Sequence, residues 1–173
     1  RGLVGSEMCI RDRYNPIVAG GENACVLHYV ENNQQLNNDD LLLVDAGCEY
    51  EMYAADITRT FPVSGKFSDE QLAIYKVVLD AMNAAIDMVK PGNHIMQPQE
   101  ISEKVITEGL VKLGLIDGDP EELHKSGAYK EFYMHKIGHW LGLDVHDAGD
   151  YVEGEEYMNC LLYTSPSPRD RVL

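Results

Sequence analysis

The stretch Leu41–Pro62, LLLVDAGCEYEMYAADITRTFP, decides how this chain is read. It opens on four apolar residues, Leu41–Val44, the pattern of a buried strand, and the run ends on a carboxylate, Asp45. A second strand pattern starts at Asp56: Asp56, Thr58 and Thr60 alternate to one face, Ile57 and Phe61 to the other. Glu49–Tyr53 is placed to turn the chain between them, so the stretch reads as a hairpin that brings the two aspartates close together. Two carboxylates in an apolar setting repel each other and are costly to desolvate. A bound divalent cation removes both penalties. The plainer alternative has Asp45 capping a turn and Asp56 paired with Arg59.

The composition narrows what such a hairpin serves. With 173 residues the chain is long enough for one domain with a substantial core. A net charge of −15 argues against nucleic acid or an anionic membrane surface as partner. No apolar run has the length of a membrane span, and the first residues carry no signal-peptide pattern. The four cysteines form no CxxC and no framework spacing, so free thiols in a reducing, cytoplasmic compartment are expected. Both ends read as foreign. Leu3–Asp12 and Cys160–Asp170 can be encoded by opposite strands of one oligonucleotide. Residues 1–13 and 160–173 are therefore taken as non-native tails, flanking a natural segment, 14–159, of a gene cut at both ends.

Around the hairpin the elements follow from pattern. Tyr14–Tyr29 is strand-like, broken at Gly20-Gly21, with Cys25–Tyr29 (CVLHY) weakly alternating. Glu31–Asp40 is polar and turn-rich, a surface loop. Ser68 opens a helix with a capping box, SDEQ, and Leu72, Tyr75, Leu79, Met82, Ile86 and Val89 keep helical spacing on its inward face. Pro91-Gly92 ends it. A second helix is predicted over Pro98–Leu113, with Ile101, Val105, Leu110 and Leu113 inward and Gly114 as its stop. A short third helix is predicted at Asp119–His124. Strands followed by two long helices give an α+β class, an antiparallel sheet with helices on one face.

The last informative stretch is Met134–Asp147, MHKIGHWLGLDVHD. His135, His139 and His146 are interleaved with Gly138 and Gly142, and the spacing of four puts His135 and His139 on the same side of a helix or a strand. It is not the HExxH zinc motif, because lysine follows His135. Imidazoles ligate metal or move protons near neutral pH. The plainer alternative is three hydrogen-bonded histidines around a Trp140–Leu141 core. His28 reads as a strand histidine; His94 and His124 read as surface residues.

YNPIVAGGENACVLHYVEN, the hairpin stretch and MHKIGHWLGLDVHD together resemble the pita-bread metallopeptidases, and within them the bacterial aminopeptidase P (Xaa-Pro aminopeptidase) family. Methionine aminopeptidase, prolidase and creatinase are relatives. The resemblance covers Tyr14 to about Glu153. It implies a partial pita-bread catalytic domain over 14–159 and a metal-dependent aminopeptidase that releases an N-terminal residue preceding proline. It also implies a two-metal site in which Asp45, Asp56 and His139 are ligands, while His28, His135 and His146 bind substrate and handle protons. The family's two further glutamate ligands have no counterpart here, since Glu153, Glu155 and Glu156 stand in other contexts, so the chain alone is expected to be inactive. Carboxylates with one imidazole make a hard site suited to two Mn²⁺ ions, which generate hydroxide and polarise a carbonyl. Peptides with proline second are the implied partners, and the parent enzyme is expected to be a homo-oligomer. A prolidase-type dipeptidase and a non-catalytic peptide-binding pita-bread domain are the alternatives.

Overall fold

A computed structural model describes residues 11–12 and 14–160. The strands are β1 (Arg11–Asp12), β2 (Ile17–Gly20), β3 (Leu41–Asp45), β4 (Cys48–Tyr50), β5 (Tyr53–Ala54) and β6 (Thr58–Pro62). The helices are α1 (Asp69–Met88), α2 (Gln97–Lys112) and α3 (Pro120–Ser126), and a small hairpin of β7 (Val152–Glu153) and β8 (Glu156–Tyr157) follows. The described residues divide into two compact units, those up to 71 together with 139–149, and 72–138 together with 150–160.

In the first unit β2, β3 and β6 form an antiparallel sheet in that order. Period-two alternation places Ile17, Ala19 and Leu43 on one face, where they pack with Ala24 and Tyr29. The other face leaves Ile57 and Phe61 about half exposed. The side chain of Asn32 takes the place of a neighbouring strand at β2: its Oδ1 accepts the Val18 N–H at 2.8 Å and its Nδ2 donates to Pro16 O at 2.7 Å. Cys25–Tyr29 is not a strand. Gly21–Cys25 is a 3₁₀ turn, and His28 sits in the following turn with φ 56°. The chain there curls inward instead, burying Tyr29 against Ile17 and Ala19.

The capping box that opens α1 lies at the end of the first unit and closes as its chemistry requires: Ser68 N–H donates to Gln71 Oε1 at 3.0 Å and Gln71 N–H to Ser68 Oγ at 3.2 Å. The rest of α1 belongs to the second unit. The buried stripe of α1 is Ala81 and Ala85, whereas Ile86 and Val89, expected inward, are 59% and 44% exposed. Close helix approach explains the difference. A Cβ on Gly109 of α2 would lie 2.4 Å from Val77 Cγ1, so small residues line the α1–α2 contact. The core gathers Ala81, Ile106, Leu110 and Tyr129, with Val105, Ile116 and Tyr133 against it. Helix α2 ends in a Schellman motif at Gly114 (φ 69°), with Leu115 N–H to Leu110 O and Gly114 N–H to Val111 O.

Of the two ends, Arg11–Asp12 pairs with Cys48–Glu49, and Cys160 is buried with its N–H on Asn93 O. The remainder of the expected tails lies outside the described residues. Among the described residues no helix is long and apolar enough to cross a membrane.

Candidate metal centre

The site grows out of the bend in the long hairpin of the first unit. Its two ladders, β3 with β6 and β4 with β5, share one register: Asp45 opposes Thr58, and Glu49 opposes Ala54. Between them Ala46 N–H donates to Ile57 O at 3.1 Å and Ala55 N–H to Cys48 O at 2.8 Å. Asp56 therefore falls opposite Gly47, on the face that Asp45 and Thr58 share, and one diagonal step from Asp45. Diagonal neighbours on one sheet face are within reach of each other's side chains. Arg59 points to the other face and turns its Nη1 to Thr58 O at 2.7 Å, so Asp56 is not its partner.

Gly47 is needed for closeness. A Cβ there would lie 1.7 Å from Ala55 O and 2.8 Å from Tyr14 Cε1. Into that space comes the ring of Tyr14. From Asp12 to Ile17 the chain takes five residue steps while its partner takes three, from Cys48 back to Asp45. The excess bulges, and a bulge re-aims a side chain. The Tyr14 hydroxyl donates to Asp45 Oδ1 and lies 3.2 Å from Asp56 Oδ1. Burial first, then the hydrogen bond to Asp45 and the charges of Asp45 and Asp56, push this phenol well above the ordinary tyrosine range. Tyr14 is thus a neutral donor facing two acceptors.

His139 closes the other side. Its Nε2 is 3.0 Å from Asp56 Oδ2, with the two side chains 29% and 23% exposed. Its Nδ1 is 2.9 Å from Trp140 O. A carbonyl oxygen only accepts, so Nδ1 carries a proton. In the neutral ring Nε2 then presents a lone pair to a carboxylate, which is repulsive unless a second proton or a cation lies between them. An imidazole whose Nδ1–H is held by a carbonyl and whose Nε2 faces carboxylates has the orientation of a metal ligand. His146 stacks on His139 with ring centroids 4.1 Å apart.

The structure therefore brings Asp45, Asp56 and His139 together with Tyr14, and stacks His146 on His139. His28 is exposed in its turn. His135 belongs to the second unit, where its Nδ1 meets Lys136 O at 2.6 Å. Residues 132–151 take neither helix nor strand, so the expectation that His135 and His139 share a side of one regular element does not hold. A strand needs a ladder partner, and in the first unit the hairpin reaches this segment through Ala54 N–H to Gly142 O at 2.7 Å. Asp147 instead fastens the loop locally: its carboxylate accepts the Leu143 and Ala148 N–H groups. Among the described residues no three His, Cys, Asp or Glu side chains stand in full metal-holding geometry. The donor set is nonetheless of the right chemistry for a hard divalent ion: two carboxylates and one imidazole nitrogen about Asp56. Tyr14 is the residue that pattern reading did not single out.

The description of metallopeptidase family M24 matches residues 3–166. The chain is 56% identical over 143 residues to the Xaa-Pro aminopeptidase of Haemophilus influenzae, a match covering 83% of this chain and 33% of that protein. Its identity to the Escherichia coli Xaa-Pro aminopeptidase is 49% over 138 residues, 80% of this chain and 31% of the relative. Among solved structures, Pseudomonas aeruginosa aminopeptidase PepP superposes with a TM-score of 0.84 at 55% identity, covering 86% of this chain and 34% of that one. A zinc-substituted E. coli aminopeptidase P in complex with product gives a TM-score of 0.79 at 48% identity over 81% of this chain and 32% of that one. The chain spans about a third of the length of these relatives. Its α+β architecture is the pita-bread fold of aminopeptidase P, truncated relative to those solved chains, and the chain belongs to metallopeptidase family M24.

Proposed function

We propose that this chain is part of a metal-dependent aminopeptidase that releases an N-terminal residue preceding proline. The observation that carries the reading is the convergence of Asp45 and Asp56 on one hydroxyl, with His139 Nε2 aimed at Asp56. Like charges are gathered this way where a cation is to be held. Asp45, Asp56 and His139 are the proposed ligands of a two-ion centre, with Mn²⁺ the ion whose hardness matches the donors. When bound, such ions supply hydroxide at neutral pH and polarise the scissile carbonyl. His146, stacked on His139, is proposed to orient that ring and to handle a proton beside it; His28 and His135 are proposed to contact substrate. The family resemblance adds two glutamates to the ligand set, and Glu153, Glu155 and Glu156 stand in other sequence contexts, so the chain is proposed to be inactive by itself. Peptides with proline second are the proposed substrates, and a homo-oligomeric parent is part of the same reading. A reducing, cytoplasmic setting is part of the same reading, with Cys25 and Cys48 of the natural segment as free, exposed thiols.

The test is a chimera in which residues 14–159 replace the matching segment of the H. influenzae relative. Hydrolysis of an Xaa-Pro peptide is expected from the chimera, and negligible hydrolysis from the chain alone. Asp56→Asn is expected to lower the chimera's activity more than about a hundredfold, since even partners of metal ligands cost about 10–100-fold. A chimera that keeps full activity after Asp56→Asn, or after exhaustive chelation, refutes the reading.

A further inference from the structure

We infer that Tyr14 is the positioning residue of this centre: its phenol O–H holds the Asp45 and Asp56 carboxylates side by side before a cation binds, and so raises the affinity for the first divalent ion. The inference rests on the metal-centre reading above. Asp45 and Asp56 are diagonal neighbours on one face, half-buried, and left to themselves two carboxylates in that setting swing apart. One donor touches an oxygen of each, Asp45 Oδ1 and Asp56 Oδ1. The group is built in. Its ring occupies space that exists because residue 47 has no Cβ, and its backbone lies in the bulge between β1 and β2.

The choice of a phenol has a consequence. A lysine or arginine in this place would neutralise the carboxylates and compete with a metal ion as a rival cation. A neutral hydroxyl draws the two groups together and leaves their negative charge for the ion. It also engages only the Oδ1 atoms, while Oδ2 of Asp56 faces His139 Nε2. Without the hydroxyl the incoming ion has to reconverge the carboxylates against their repulsion.

The experiment is Mn²⁺ binding by calorimetry to the full 173-residue chain and to Tyr14→Phe, with melts of each at zero and saturating Mn²⁺. Loss of a hydrogen bond to a charged group is expected to weaken Mn²⁺ binding about tenfold or more, and to shrink the upward melting shift that Mn²⁺ produces. A residue that merely packs would lower both melts equally and leave the affinity alone. A Kd within about twofold of the parent, or a tighter one, as expected if the phenol were a placeholder the ion must expel, overturns the inference. Should Tyr14→Phe fail to fold, 3-fluorotyrosine placed at position 14 alone reports the same contact: its ¹⁹F signal is expected to move on Zn²⁺ saturation, and a fixed signal overturns the inference. A parent chain that binds neither ion defeats the metal-centre reading itself. A parent that binds while Tyr14→Phe binds equally well defeats only the role of Tyr14.

Discussion

Gly47→Ala is the sharpest single perturbation of the hairpin. The added Cβ would stand 1.7 Å from Ala55 O, 2.7 Å from Ala55 C and 2.8 Å from Tyr14 Cε1. Two of these atoms are backbone, so no rotamer change relieves the clash. Restoring an ordinary contact of about 3.5 Å means opening the ribbon by about 1.8 Å at the bend. The hydrogen bonds that flank it, Ala46 N–H to Ile57 O and Ala55 N–H to Cys48 O, are the ones such an opening stretches. Each is worth about 0.5–1.5 kcal/mol net, and overpacking adds about 1–3 kcal/mol. A loss of about 2–6 kcal/mol is expected, and with it a fall in melting temperature of roughly 4–24 °C. Because Tyr14 is displaced too, Mn²⁺ affinity should fall together with stability. Gly65→Ala is the control: nothing lies within 4 Å of a Cβ there, but φ is +79°, so the cost is conformational, about 1–2 kcal/mol. Calorimetric melts of both variants, with amide exchange read at Ala46 and Ala55, decide the matter. If Gly47→Ala melts like the parent, or if Gly65→Ala costs more, the close-approach argument is wrong.

Two further outcomes follow from the second unit. Asp119 Oδ1 accepts the Glu121 and Glu122 N–H groups at 3.0 and 3.1 Å, so Asp119→Ala should cost about 1 kcal/mol in urea melts, with the loss felt in α3. Tyr129 is pushed up to about 12 by burial first, then by the hydrogen bond and charge of Glu103 and by Tyr133. A phenol whose pKa is raised in the folded state contributes stability that is full below its unfolded value near 10 and lost as pH rises through about 12. Melts between pH 9 and 12 should fall with that slope, and Tyr129→Phe should flatten it.

What the sequence reveals of the fold depends on how local the cause is. The capping box at Ser68–Gln71, the Schellman stop at Gly114 and the alternation Asp56–Thr58–Thr60 each act over a few residues, and each is legible. The turn of the hairpin is legible by position but not by chemistry. Its tip, Glu51-Met52, holds φ 49° and 73° without a glycine or an asparagine. The inward face of α1 is only partly legible, because hydrophobicity favours Ile86 and Val89 while the packing of Val77 against Gly109 selects Ala81 and Ala85. Cys25–Tyr29 alternates like a strand but turns inward to bury Tyr29, and the open edge of β2 is met by the side chain of Asn32. In both cases a partner remote in sequence overrides the local pattern.

The site divides along the same line. Asp45 and Asp56 can be placed together from period-two reading of two strands and a turn, since residues opposite and diagonal on one face follow from register alone. His139 is recognisable by type, yet its reach to Asp56 is set by a loop with no period, fastened by Asp147 and by Ala54 on Gly142. Tyr14 is invisible to any local reading. It lies thirty-one residues from Asp45 and comes to it only because β2 pairs with β3 at Ile17–Asp45, the chain bulges just before, and Gly47 leaves room. A glycine is silent in a profile of hydrophobicity. Gly47 acquires meaning once two other segments, Ala55 and the ring of Tyr14, are seen to fill the space its side chain would have taken. The carboxylates announce the charge of this centre, while the groups that gather that charge, a hydroxyl and a missing Cβ, are found by asking what lets two like charges stay together.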